Sequence, residues 1–295
     1  SIQFKQVLLT VLSIPILLLF VPLIKMLPVG LGLTALLGST ILIVLLFGLL
    51  IPVFSIYKNS KRLGQLFLVL SAILFISTSF KSTYNIDRKM PNSIIYILDA
   101  DKNDAYWASF DTKVDDFTSQ FLGDNPIEGA VDSAISKSKY NSTIKLHQIA
   151  ATQNIAAPEI SFVSDTTIYD DRTIHFIIEP KRKANRIELV TNKKVQLKTF
   201  KINGEILSQK DRNGFVFTGE KNNTILQYYL IDRQEILEIE MSFNKNDPLD
   251  LTIYEASYDL LSNPNFSITP RSKTMMPKPF VVNDAIVVKK RVVLD

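Results

Sequence analysis

Lys58-Asn-Ser-Lys-Arg62, followed at once by Leu63-Gly-Gln-Leu-Phe-Leu-Val-Leu-Ser-Ala-Ile-Leu-Phe-Ile-Ser-Thr-Ser-Phe80, decides how this chain is built. At 1.5 Å rise per residue the uncharged run covers about 27 Å, close to the roughly 30 Å hydrocarbon thickness of a bilayer. Two more uncharged runs precede it, Gln6–Ile24 and Met26–Tyr57. A soluble core helix is rarely apolar on every face for this length, so all three runs read as membrane helices, over about 6–24, 29–56 and 63–80. A secretory signal would have one short apolar core, whereas here the cores repeat.

The loops give an orientation. Lys58, Lys61 and Arg62 crowd the second connection, while only Lys25 borders the first. The positive-inside rule therefore places the Lys58–Arg62 loop in the cytoplasm and residues 81–295 in a periplasm, a lumen or the extracellular space. Lys5 agrees with a cytoplasmic start, and a chain that opens at Ser1 reads as processed or as part of a longer one.

Charge divides along the same line. The whole chain has 33 Lys and Arg against 29 Asp and Glu, a formal +4. Residues 1–80 hold five cations and no acid, which leaves the other 215 residues with 28 bases against 29 acids. The larger part lacks the clustered positive charge of a nucleic-acid binder, so nucleic acid is not an expected partner and the lipid bilayer is. Disorder is excluded by 46% hydrophobic residues, and the absence of cysteine excludes disulfides, thiolate zinc sites and cysteine nucleophiles.

Within the spans, Thr34 with Gly38 and Ala35 with Ser39 have the small-xxx-small spacing that allows close helix approach. Pro15, Pro22 and Pro52 are expected to kink or end helices. No acid or His sits deep in a run, so an anchor bundle is favoured over a transporter.

The remaining residues read as a mainly β exported domain. Residues 81–91 form a linker closed by Pro91. Residues 92–154 hold a hairpin, Ile94–Leu98 with Ala105–Phe110, and then a helix. Thr112 with Asp115 has capping-box spacing, Val114, Phe117 and Phe121 share a face, and Gly123 is the stop. Residues 155–295 read as an antiparallel β-sandwich. Its strands are Arg172–Glu179, Ile187–Thr191, Val195–Ile202, Ile225–Ile231, Leu237–Phe243, Leu249–Ile253 and Ala285–Val293. Alternation is clearest in Ile174, Phe176, Ile178 and in Leu237, Ile239, Met241, Phe243.

Chemistry-bearing patterns are scarce. His147 and His175 lack a local metal partner, and His175 and Glu179 on one strand stand about 13 Å apart, so His175 is expected to be an exposed strand residue. Asp99 with Asp101 and Asp170 with Asp171 could bind calcium, yet acids are ordinary turn residues. The stretch Lys181, Arg182, Lys183, Arg186 reads as a solvated hairpin tip in preference to an anionic-lipid contact. Asn141, Asn222 and Asn265 head glycosylation sequons, which matter in a eukaryotic source. Nothing here nominates a catalytic, cofactor-binding or metal residue.

Two segments carry a resemblance. Pro91-Asn-Ser-Ile-Ile-Tyr-Ile-Leu-Asp-Ala-Asp101, with Ala105-Tyr-Trp107-Ala and Phe117-Thr-Ser-Gln-Phe-Leu-Gly123, is similar to the start of the C-terminal domain in membrane-anchored zinc aminopeptidases of peptidase family 28. The relatives meant are the endoplasmic reticulum metallopeptidase and the vacuolar membrane protease. Pro270-Arg-Ser-Lys-Thr-Met-Met-Pro-Lys-Pro-Phe280, with Asp284 and Val287, resembles the end of that region. Ala157-Pro158, Asp171-Arg172 and Asn203-Gly204 resemble it more weakly. The resemblance implies a zinc peptidase as the parent protein. The family's peptidase domain, with its His, Asp and Glu ligands, lies on the N-terminal side of the helices, so no metal or catalytic residue carries over to a position here. The implied role is accessory: a β domain that packs on a peptidase domain or guides substrate to it, with the Tyr106 and Trp107 hairpin as a candidate surface. The alternative is a stand-alone membrane-anchored binding module for protein or carbohydrate.

Overall fold

A computed structural model describes residues 2–31, 36–54, 60–81, 83–131, 142–211, 213–219, 223–232 and 235–294. The chain divides into two compact units, Ser1–Thr83 and Tyr84–Asp295.

The first unit is three helices, α1 (Ile2–Leu31), α2 (Leu36–Phe54) and α3 (Ser60–Lys81). Each contains a stretch long and apolar enough to cross a membrane: Val7–Val29, Leu36–Phe54 and Lys61–Lys81. Their apolar side chains are exposed on all faces, which in water would be untenable and in hydrocarbon is the stable arrangement. Pro15, Pro22 and Pro28 lie inside α1, and Pro52 lies inside α2 two residues before its last, so Pro15 and Pro22 do not end a helix. Of the small-residue pairs, Thr34 and Ala35 lie outside the described residues. Ser39 is buried and donates to the Ile24 carbonyl of α1 at 3.3 Å, while Gly38 has open space where a side chain would stand.

The second unit is mainly β. Its elements are β1 (Met90–Asn92), β2 (Ile95–Asp99), β3 (Asp104–Ser109), the single turn α4 (Ser119–Leu122), β4 (Ile127–Glu128), β5 (Leu146–Ala150), β6 (Glu159–Ile168), β7 (Asp171–Glu179) and β8 (Arg186–Thr191). Then follow β9 (Leu197–Ile202), β10 (Glu205–Ile206), β11 (Thr224–Tyr229), β12 (Leu237–Asn244), β13 (Leu249–Ser257), β14 (Met275–Pro277) and β15 (Ala285–Leu294). They form a five-stranded sheet, β10-β9-β12-β7-β6, an eight-stranded sheet, β11-β8-β13-β15-β2-β3-β5-β4, and the short pair β1-β14.

Alternation explains the packing. Ile174, Phe176 and Ile178 of β7 and Leu237, Ile239, Met241 and Phe243 of β12 are buried against Ile187 and Leu189 of β8 and Leu251 and Ile253 of β13. The two sheets therefore enclose one core, and burying each large aliphatic or aromatic side chain contributes roughly 1.5–3 kcal/mol. The same face of the larger sheet continues beyond this core. There Tyr96, Leu98, Ile286 and Val288 pack under Phe117, Leu122 and Leu260, supplied by α4 and the segments beside it. At the β9–β10 turn, Asn203 and Gly204 take φ values of +48° and +82°, the left-handed pair that a two-residue hairpin requires.

Two expectations need correction. The 92–154 segment is not a separate element, because β2, β3, β4 and β5 belong to the same sheet as β8, β11, β13 and β15. Within 155–295 the long strands pair antiparallel, as expected, while across the two segments β15 pairs in parallel with β2, Ala285 opposite Ile95 and Lys289 opposite Asp99. A 27-residue return between β13 and β15, from Tyr258 to Asp284, lets the last strand run alongside the first long one. The helix expected after Thr112 is one turn at Ser119–Leu122. Its approach is capped by Asp115, whose Oδ1 accepts the Phe117 and Thr118 N–H groups at 3.0 and 2.8 Å. Gly123 ends it at φ +66°, as the sequence indicated.

Candidate functional site

Three groups of charged side chains are held in place by the sheets. The first gathers where the chain enters the β unit. Arg271 presents its Nη1 and Nη2 to Asp284 at 2.7 and 2.5 Å, its Nε to the Asn92 amide oxygen at 2.5 Å, and its face to the Phe117 ring at 4.2 Å. Asn92 in turn donates to Asp115 at 2.8 Å. Beside it, Asp111 accepts from the Ser93 N–H at 2.6 Å, from the Ser93 and Ser109 hydroxyls, and from Lys278 Nζ at 2.8 Å. These residues come from four separate segments, so the network closes the base of the β2–β15 pair.

The second group is a buried pair. Glu255 of β13 is fully buried, and Arg182, from the β7–β8 connection, brings Nε to 2.6 Å from Glu255 Oε1. Arg182 also donates to the Glu255 and Ile286 carbonyls at 2.9 and 3.2 Å, and to Ser257. The Nε–H does not point along the line to the carboxylate, so this contact is an ion pair rather than a well-formed hydrogen bond. Burial pushes the Glu255 carboxyl up to about 7 against the opposing pull of Arg182.

The third group lies on the opposite face of the eight-stranded sheet. Arg186 and Glu188 of β8 are buried and 2.6 Å apart, with Tyr229 beside the guanidinium at 5.7 Å. Burial raises the Glu188 carboxyl, while Arg186 and the Thr224 hydroxyl oppose the shift. Further along, Asp250 accepts from Asn192 at 2.8 Å and from Arg291 at 2.6 and 2.9 Å, and Lys289 stands 3.4 Å from Asp99. The Arg291 hydrogen bond holds the Asp250 carboxyl below its ordinary value, assisted by Asn192. A cleft of about 490 Å³ opens at the Thr191–Lys194 turn, lined also by Gly219 and Asn223.

The residues singled out in the sequence fall apart in space. His147 bonds the Gly129 carbonyl through Nδ1 at 2.9 Å. His175, expected to be exposed, is half-buried, with Nε2 2.6 Å from Glu238 on the neighbouring strand rather than near Glu179. Asp99 Oδ1 caps its turn by accepting the Asp101 and Lys102 N–H groups, and Asp101 pairs with Lys290. Asp170 pairs with Lys245 and Asp171 with Lys198. Of the basic stretch, Lys181 meets Glu159 and Glu179, Arg182 and Arg186 belong to the buried pairs, and Lys183 is exposed. The hairpin aromatics split by face: Trp107 packs against Tyr96, Phe121 and Phe266, while Tyr106 lies 6.3 Å from the His147 ring. Asn265 is exposed in a turn, and Asn141 and Asn222 lie outside the described residues.

Sequence reasoning missed the Arg271–Asp284 and Arg182–Glu255 pairs. Their local signal is an acid beside apolar residues, Glu255 and Asp284, and nothing local marks which arginine each one meets. Comparison with models of known protein families and with curated protein sequences finds no match.

Proposed function

We propose that this chain is the membrane-anchoring, non-catalytic accessory portion of a zinc-dependent aminopeptidase of peptidase family 28, with its β domain packing on the parent's peptidase domain. The observation that carries the reading is that the two segments bearing the resemblance, 91–123 and 270–287, meet strand to strand. They pair as β1 with β14 and as β2 with β15, and share the Arg271–Asp284–Asn92–Asp115 network. Residues far apart in the chain thus make one unit, as expected if the resemblance reflects a common domain. The accessory role is supported by the state of the buried acids. Among the described residues the buried Glu255, Glu188 and Asp250 each face an arginine and the buried Asp99 faces Lys289, which suits holding a fold better than moving a proton. The Lys58–Arg62 loop faces the cytoplasm in this reading and the β domain lies on the other side.

Two measurements test it. The reading frame that runs into the Ser1 codon should encode the peptidase domain with its zinc ligands, and a frame without one would count against the proposal. Purified chain supplied with zinc should release no amino acids from peptides, and turnover at an enzymatic rate would refute the non-catalytic role.

A second reading, a stand-alone binding module, draws on the exposed Tyr229 and Tyr258 beside Arg186. Exposed aromatics next to an oriented guanidinium can stack on and hydrogen-bond a polar ligand such as a sugar. Glycan or peptide binding that is abolished by Tyr229→Ala and leaves stability unchanged would favour it.

A further inference from the structure

The strand registers place one set of connections at a single edge of the eight-stranded sheet. β2 and β15 start there, Ile95 beside Ala285, β13 ends there and β8 starts, Ala256 beside Arg186, and β11 ends there at Tyr229. It is also the edge by which the chain arrives from the third span. Only nine peptide units separate Lys81, the last residue of α3, from Met90, the first of β1, and they extend to at most about 32 Å. This edge is therefore covalently held within one bilayer thickness of a membrane–water boundary.

Its loops carry the residues of such a boundary. Tyr84 is 59%, Ile86 64%, Ile231 94% and Phe280 65% exposed, and Tyr229 and Tyr258 join them. Lys89, Lys183 and Lys273 are exposed among them. At the opposite edge of the same sheet the turns Asp99–Asp104, Thr191–Lys194 and Asn244–Pro248 are built largely of Asp, Asn and Lys. Large apolar groups in water mark a surface with a partner, and tyrosines among lysines suit the headgroup layer.

We propose that this edge of the β domain is a lipid-docking surface, with Phe280 and Ile231 inserted among the headgroups and the neighbouring lysines at the phosphates. The occupant is lipid, because the tether brings a bilayer within reach of this edge whichever side the domain occupies. The inference is independent of the peptidase reading. Its consequence is a β domain held in one orientation on the membrane.

The chain has no cysteine, so single labels can be placed on it without background. Phe280→Cys, Ile231→Cys and, as a control at the opposite edge of the five-stranded sheet, Tyr169→Cys replace exposed side chains. Each full-length variant is spin-labelled and reconstituted in vesicles of phosphatidylcholine with one-third phosphatidylglycerol. Collision with apolar oxygen is then compared with collision with a polar nickel chelate. The proposal expects the oxygen-to-nickel ratio at 280 and 231 to exceed that at 169 severalfold. Equal ratios at all three positions would overturn it, and so would a raised ratio at only one of the two. Labels at 280 and 231 shielded from both reagents would also overturn it, since that pattern marks contact with protein.

Discussion

Arg182 and Glu255 meet inside the β domain at 2.6 Å, the carboxylate with no exposed surface, between the sandwich core and the second core under α4. Arg182 also donates to the carbonyls of Glu255 and Ile286, so one side chain ties the β7–β8 connection to both β13 and β15. Removing one member of such a pair leaves an uncompensated buried charge. Arg182→Ala is expected to destabilise the domain by about 3–5 kcal/mol in denaturant unfolding. Arg182→Met with Glu255→Leu should recover much of that loss.

The same pair gives a pH dependence of definite sign. Glu255 is raised by burial from the ordinary glutamate value to about 7. Between those values the folded state keeps a proton that the unfolded state has released. Its contribution is therefore fully present below the unfolded pKa, declines as pH rises toward 7 and is flat above. The change is on the order of 3 kcal/mol. Melting temperature followed across this range should fall in the wild type, and Glu255→Gln should flatten that part of the profile.

At the base of the domain, Arg271→Lys keeps the charge but not the fork that grips Asp284 and Asn92. A loss of about 2–3 kcal/mol is expected, with Arg271→Ala worse. Hydrogen exchange should quicken first at the amides of Met90 and Lys278, which bond across β1 and β14. Protection unchanged at those amides would show the network to be dispensable.

In the sandwich core, Phe243→Ala removes a fully buried ring and should cost about 3–5 kcal/mol. Phe162→Ala, on an edge strand and 46% exposed, should cost less than about 1 kcal/mol. Comparable losses from both would contradict the layer arrangement.

What could be read in advance follows from how local the physics is. The spans were legible because an 18-residue apolar run is its own evidence, and β7 and β12 because one face of each is buried. β6 was missed: Ser161, Ser164, Asp165, Thr166 and Thr167 give it no apolar alternation, since this edge strand lies exposed along most of its length. β1 and β14 were missed because Met90 and Pro91 acquire their pairing only from Met275 and Met276, nearly two hundred residues away.

The charged groups repeat the lesson. Lys181, Arg182, Lys183 and Arg186 are one basic run in the sequence, yet in space they go to surface carboxylates, a buried glutamate, solvent and a second buried glutamate. The sequence by itself determined that three helices are apolar enough to cross a membrane and that a β domain follows, because hydrophobic length and period are local properties. Only the tertiary structure decided that the first and last long strands lie in parallel and that Glu255, Glu188 and Asp250 each meet an arginine, because those outcomes depend on which distant residues share a face of the sheet.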